Sequence, residues 1–412
     1  MRTFKFLIFS TLILFSSCFT ATAAEPVPPS FTFSGSGYGH GVGLSQIGGR
    51  AKALAGETST SILSYYFPGS SIGIADETQT VRINIGHLLT TAKLRTDSIG
   101  GSVNVYEGNL DETQTAQPIM VSASRQIFQI QLSGTSILLS SITGKVVAPI
   151  STSKSFTFRW SGTRNLEGPP SLVAFTSGSS TVKYRHGQIQ AKIVKDKMLG
   201  NRIEVTNTLR LKDEYLYGVS EVPSSWPAAI LDAQAIASRT YALTRGAKVR
   251  AACDCNLYGS ITDQTYAGFS KENEPIYGAL WKAAVDRTSG QVITYNGALL
   301  TTYFTSSTGG VTETVESAWG TPTPNSVSVP DLFSADPILN PRYATWSVKV
   351  EQKVIAAAFL LPDVVKLEIL NKNPSGTVSQ IQAVSSAGKT SVLRGEVFRS
   401  RTKIPSAWFN LV

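Results

Sequence analysis

Apolar residues fall on every side of a helical projection in the stretch Tyr215–Leu243, YLYGVSEVPSSWPAAILDAQAIASRTYAL. Its opening, Tyr215 to Val219, predicts a short apolar strand. Pro223, Ser224 and Ser225 then predict a turn, and Pro227 falls in the first turn of a helix, where its fixed φ suits the geometry and its missing N–H costs nothing. Ile230, Ala233, Ala237 and Tyr241 mark one stripe of that helix, Leu231, Ala235 and Ala242 the next, and Asp232 and Arg239 are its only charges before Leu243. A helix with so little polar surface is buried, and its alanines admit close neighbours. Between strand and helix stands Glu221, a carboxyl carried at the mouth of a rigid element, where it can be held in place and partly desolvated.

The pattern changes on either side. Residues 73–212 form short runs, several alternating between apolar and polar, bounded mostly by Gly, Asn or Asp: VRINIGHLL, GSVNVYEG, QIFQIQLSG, SILLSSITGKVVA, SFTFRWSG, SLVAFTSG and NRIEVTNTLRL. They predict antiparallel strands of a sandwich or barrel. Helices are expected at Ser45–Leu54, Ser61–Phe67, 275–287 and around Val354–Leu361. Gln291–Tyr295 and Ala298–Phe304 predict a hairpin across Asn296–Gly297, since both turn residues tolerate positive φ. The fold class that follows is α+β, mostly antiparallel β with a buried central helix and a few short helices. We divide the chain into a leader (1–24), an N-terminal glycine-rich segment that packs on the core (25–72), a β-rich region (73–200) with an insert at about 97–177, and a core region (201–412).

The glycine-rich segment reads FTFSGSGYGHGVGLSQIGG from Phe31. Gly35, Gly37, Gly39, Gly41 and Gly43 alternate with other residues around His40, so the backbone there can turn tightly or let another strand come close. A phosphate loop is excluded because no lysine is placed for one, and no repeated βαβ pattern follows.

Length and composition, 412 residues with 42% apolar and 16% charged, allow a substantial core. Arg2 and Lys5, the apolar run Phe6–Phe15 and Ala21-Thr22-Ala23 predict a cleaved export leader. Cys18 raises lipidation as the less favoured alternative, because Phe15 fits that signal poorly. Removing the leader's Arg2 and Lys5 takes the net charge from +9 to +7, a balance that draws a chain toward anionic wall polymers or headgroups. No nucleic-acid motif is present. The mature chain keeps only Cys253 and Cys255, and two readings stay open: a disulfide, which an exported protein permits, or half of a zinc site. His40, His87 and His186 are all distant in sequence, so no cofactor is expected.

GVSEVPSSWP followed by AQAIASRTYAL resembles the core motif of the stage II sporulation protein D / amidase enhancer LytB family. The glycine-rich GHGVG and SQ residues, the Ser306–Gly310 element SSTGG and the Glu316–Gly320 element ESAWG resemble further motifs of that family. The resemblance implies a peptidoglycan lytic transglycosylase with Glu221 as catalytic acid. It places His40, Ser45, Gln46, Gln234, Arg239, Tyr241, Ser306, Ser307 and Gly310 at substrate-binding positions, with Trp319 available to stack on a sugar. Some relatives bind zinc through a His and cysteines, which keeps Cys253 and Cys255 as candidate ligands. In many relatives the GHGVG motif lies near the C-terminus, so the two chain ends are expected to be neighbours. The implied partners are glycan strands of peptidoglycan and, in the alternative reading, a cell-wall amidase that the chain enhances without cutting; a plain glycan-binding module is a third reading. The chemistry suits a single acid, since a lytic transglycosylase needs one carboxyl that first gives and then takes a proton while the sugar's own 6-hydroxyl attacks.

Overall fold

The computed structural model describes residues 26–122 and 125–412. The leader, with Cys18 and the Ala21–Ala23 signal, lies outside the described residues. The fold is α+β. Thirteen of its strands form two facing sheets. The larger runs Leu257–Tyr258, Thr80–Leu89, Gly200–Arg210, Gln188–Asp196, Ser155–Trp160, Val103–Glu107 and Met120–Ser122; the smaller runs Val146–Ser153, Ser136–Thr143, Ile127–Ser133, Thr91–Thr96, Val173–Ser177 and Ser180–Tyr184. All pairings are antiparallel except that of Leu257–Tyr258. Alternation sets the inner faces: in Thr91–Thr96, Ala92, Leu94 and Thr96 are buried while Thr91, Lys93 and Arg95 face water. Leu94, Phe128 and Ile130 of one sheet meet Val105, Phe158 and Val205 of the other in one core. Residues 97–177 supply strands to both sheets and so share that core with the strands before and after them.

The central helix runs Ala228–Arg245 with Pro227 at its N-cap. It is apolar all round because it is covered on two sides. Leu231, Ala235, Tyr241 and Ala242 join the sandwich core beside Tyr215, Leu216 and Trp281. Ile230, Ala233, Ile236 and Ala237 join a second core built from Leu44, Ile62, Leu63, Tyr66 and Ile293. Leu44 belongs to the glycine-rich segment, so this core binds the start of the chain to its middle.

Two expected strands take other forms. Tyr215–Val219 is helical up to Gly218: a π turn over Leu211–Tyr215 leads into a 3₁₀ turn over Leu216–Gly218. The Glu214 carboxylate accepts from the Arg210 N–H at 2.7 Å and Asp213 pairs with the Arg210 guanidinium, so both acidic side chains fold back onto the residue that caps the π turn. The hairpin forms with Asn296 at φ 50° and Gly297 at φ 79°, but its second strand is only Ala298–Leu299. Beyond it Thr302 donates to the Ala237 carbonyl at 2.7 Å, and Phe304–Thr305 pairs in parallel with Leu44–Ser45 instead. The four expected short helices form at Gln46–Leu54, Ser59–Tyr66, Gly278–Arg287 and Gln352–Phe359, each within three residues of its predicted ends.

The glycine-rich segment lies along residues 303–308. Gly37, Gly39 and Gly43 all have positive φ, and an added Cβ would stand 2.6 Å from the Thr308 carbonyl carbon, 2.3 Å from Thr305 Oγ1 and 2.1 Å from the Tyr303 oxygen respectively. Just before it, Ser30–Gly35 is the middle strand of a sheet between Trp346–Glu351 and Phe409–Leu411. Phe33, Ile355, Ile381, Phe398 and Phe409 form a third core around that sheet. The start of the described chain and its last strand are therefore hydrogen-bonded neighbours.

Gly43→Ala combines an unfavourable φ with a backbone clash and is expected to destabilise the protein by about 2 to 4 kcal/mol. The measurement is the shift in the urea midpoint; a change within error would show that the seam has slack.

Candidate functional site

Glu221 follows the 3₁₀ turn and precedes the central helix, half-buried at the floor of an open groove of about 420 Å³ lined by Ser220–Pro223, Ala267, Ser270, Lys271 and Glu274. Its Oε1 accepts from the Thr265 backbone N–H at 2.5 Å. Burial pushes its pKa up, and the Thr265 donors, the Gln46 carboxamide and the Lys271 charge hold it back without reversing the shift. Gln46 comes from the glycine-rich segment, and its Nε2 also donates to Gln234 Oε1 at 3.3 Å, whose Nε2 donates to Ser238 Oγ at 3.1 Å. A buried amide chain therefore links the acid to the central helix and to the start of the protein.

Two groups of the groove escape the sequence reading. Lys271 is almost fully buried; its Nζ donates to the Val222 carbonyl at 2.7 Å and to Glu274 Oε2 at 3.3 Å. Burial lowers its pKa, with Glu274 and Glu221 pulling the other way. Glu274 also accepts from Ser224 Oγ at 2.6 Å, and although burial acts to raise its pKa, Ser224 and Lys271 bring it below the ordinary value. Two carboxyls thus share one groove with pKa values pushed apart: one poised to hold a proton, the other an ion already paired. Lys271 and Glu274 are adjacent to Glu221 only through the fold, and no motif in FSKENEP announces them. Glu214 and Asp232, the nearest acids in sequence, point elsewhere, to Arg164 and Arg287.

The other site candidates divide into three groups. Gln46 and Gln234 belong to the Glu221 network. His40, Tyr241, Tyr303 and Trp319 meet at a neighbouring cleft of about 500 Å³, with the His40 and Trp319 rings 5.1 Å apart and those of Tyr303 and Trp319 4.9 Å apart. The His40 nitrogens turn inward: Nδ1 accepts from the Val42 N–H at 3.0 Å, and the ring hydrogen-bonds the Phe304 backbone. Burial, with help from the Arg399 charge, drops its pKa to about 3, so it is neutral at working pH. The two clefts share one support. Gln234, Ser238, Tyr241 and Arg245 lie on one face of the helix, and Asp263 lines the aromatic cleft two residues before Thr265 reaches Glu221.

The third group holds the seam together. Ser45 Oγ caps Gln46–Leu54 by accepting from the Gly48 N–H at 3.1 Å. The Ser306 carbonyl accepts from the Ile47 N–H, Ser307 exchanges backbone bonds with Tyr38, and the Gly310 carbonyl accepts from the Asp331 N–H. Arg239 is fully buried. Its guanidinium pairs with Glu77 and donates to the Gln291 and Val285 carbonyls, which leaves it facing the core rather than a ligand. Asp331 is a second buried acid with a raised pKa, again from burial, but its oxygens accept from Tyr66, Thr308 and Ser334 in an enclosed network. Cys253 and Cys255 are joined as a disulfide, so neither sulfur is a free thiolate. Among the described residues no group of three or more His, Cys, Asp or Glu side chains is placed to hold a metal ion.

Sequence comparisons match the stretch that carries Glu221 to a known family. Residues 200–295 match the family described as stage II sporulation protein (SpoIID). The chain is 34% identical over 134 residues to the amidase enhancer of Bacillus subtilis (strain 168), a match covering 32% of this chain and 16% of that protein. It is 34% identical over 122 residues to an uncharacterized protein of Brachyspira hyodysenteriae, covering 29% of this chain and 32% of that one. Residues 200–295 are thus similar to the stage II sporulation protein family, and the chain matches less than a third of the length of these two relatives.

Two predictions follow from this geometry. Arg239→Ala leaves Glu77 buried and unpaired and is expected to cost about 3 to 5 kcal/mol, while the paired replacement of Arg239 by Met and Glu77 by Leu recovers most of it; chemical denaturation reads both. For Glu221, a folded pKa above the unfolded one means stability present at low pH and lost as pH rises through the folded value. Glu221→Gln should therefore melt with the native protein below the ordinary carboxylate range and melt higher than it at pH 8.

Proposed function

We propose that the protein is an exported lytic transglycosylase of peptidoglycan. The observation that carries this reading is Glu221, a half-buried carboxyl with a raised pKa that opens onto a groove, beside a second carboxylate already neutralised by Lys271. Glu221 protonates the glycosidic oxygen as positive charge builds on the sugar, then takes the proton of the 6-hydroxyl as that oxygen closes onto the anomeric carbon. A carboxyl whose pKa is raised by burial suits both halves of this exchange. The aromatic cleft around Tyr303 and Trp319 supplies faces for further sugars of the same strand. Export is supported by the leader pattern and by the disulfide, which belongs to an oxidising compartment.

Two observations favour other readings. Glu274 shares the groove, and a second carboxylate that activates water would make the enzyme a hydrolase. The Bacillus subtilis relative is an amidase enhancer, and the same groove could hold glycan for a partner enzyme without cutting it.

The mature chain, incubated with peptide-free glycan strands, is expected to release products with 1,6-anhydro ends by mass spectrometry. Glu221→Gln should lower that rate by about 10²-fold or more, and the rate should fall as pH rises through the raised pKa of Glu221. Reducing ends that vanish with Glu274→Gln would establish hydrolysis. Intact strands would leave the enhancer reading.

A further inference from the structure

The loop that grips Glu221 is held from behind by a chain of direct contacts. The Cys253–Cys255 disulfide closes a buried turn in which the Arg250 N–H donates to the Cys255 carbonyl at 2.7 Å. Asp254, between the two sulfurs with φ 48°, pairs with Arg82 and with Lys192 at 2.9 Å, both on the larger sheet. The next residue, Asn256, accepts from the Arg82 N–H and donates to the Gly246 carbonyl, each at 2.8 Å, which ties the turn to the end of the central helix. From this fixed turn Arg250 reaches out with two nitrogens to Asp263, at 2.7 and 2.9 Å. Asp263 also accepts from the Tyr258 N–H at 2.8 Å and the Tyr241 hydroxyl at 3.0 Å. Gln264 then accepts from the Tyr215 hydroxyl at 2.8 Å and donates to the Ser238 carbonyl at 3.2 Å, and Thr265 delivers its N–H to Glu221.

We propose that Asp263 is a positioning residue for Glu221 and that the Cys253–Cys255 bridge is the foundation it acts from, so that the site is completed by oxidation. A forked guanidinium on a carboxylate fixes orientation as well as distance, and here it fixes the loop whose amide holds the acid. The completing step is thiol–disulfide exchange. The two cysteine thiols give up two electrons and two protons to a small-molecule disulfide, which leaves as two thiols, and the new S–S bond closes the Arg250–Cys255 turn. This inference rests on Glu221 being the reacting group, although the brace itself can be measured without any reaction.

The experiment compares the oxidised full mature chain with Cys253→Ala/Cys255→Ala and, as a gentler variant, Arg250→Lys, which keeps the charge and loses the fork. Amide hydrogen exchange at Thr265 is expected to speed up about tenfold or more in both variants, while the strands Gly200–Arg210 and Phe409–Leu411 exchange as before. On glycan strands the same variants should lose kcat by about ten- to a hundredfold with KM little changed, because a misplaced acid binds substrate as well and reacts less often. Unchanged exchange at Thr265, or exchange raised equally throughout the protein, would overturn the proposal. If the oxidised protein cuts nothing, the catalytic reading fails while the exchange data still decide the brace.

Discussion

Every part of this structure depends on burying one helix from two directions. Ala228–Arg245 has no solvent face of any width, so it cannot fold against the sandwich alone without leaving Ile230, Ala233, Ile236 and Ala237 in water. At about 25 cal/mol for each Å² of apolar surface, covering that second face is a driving force large enough to recruit the N-terminal helices and the glycine-rich seam to the same place. Glu221 inherits its setting from this arrangement. The helix fixes where the chain must turn, the seam brings Gln46 to the carboxyl, and the sandwich anchors the loop that presents Thr265.

The buried polar groups show why the seam is specific as well as tight. Arg239 is paired with Glu77, Asp331 collects three hydroxyls, and Gln46 and Gln234 share one bond. Each would be costly if left alone in the interior, so a register in which the seam slipped by one residue would break several of these bonds together. Glycine at 37, 39 and 43 is the complement of that demand: the backbones must touch for the side chains to meet.

Much of the fold was legible in the sequence. Period-two alternation located most strands of the sandwich, turn chemistry located the Asn296–Gly297 hairpin, and a helix apolar on all sides announced its own burial. Tyr215–Val219 was misread because its apolar run carries no sign that Glu214 and Asp213, just before it, would fold back onto Arg210. The site was legible in part. Glu221 and Gln46 stand in motifs that can be quoted, whereas Lys271, Glu274 and Thr265 reach the groove only through tertiary placement. Arg239 shows the reverse case, in which a residue of a quotable motif serves the core, since a sequence pattern records that a side chain is required without recording which way it faces.

The strand Ser30–Gly35 lies between two partners that arrive more than 300 residues later, and the Ser406 hydroxyl donates to the Ser36 carbonyl across 370 positions. Loops of that length close slowly. A chain delivered from its amino end would therefore hold Ser30–Gly35 unpaired until its partners among residues 346–411 had emerged, and the glycine-rich turn that carries Gln46 unpaired until residues 303–308 had. Gln46 would reach Glu221 only after that closure. Such an order of assembly is a built-in delay, keeping the Glu221 groove unfinished while the later part of the polypeptide is still emerging.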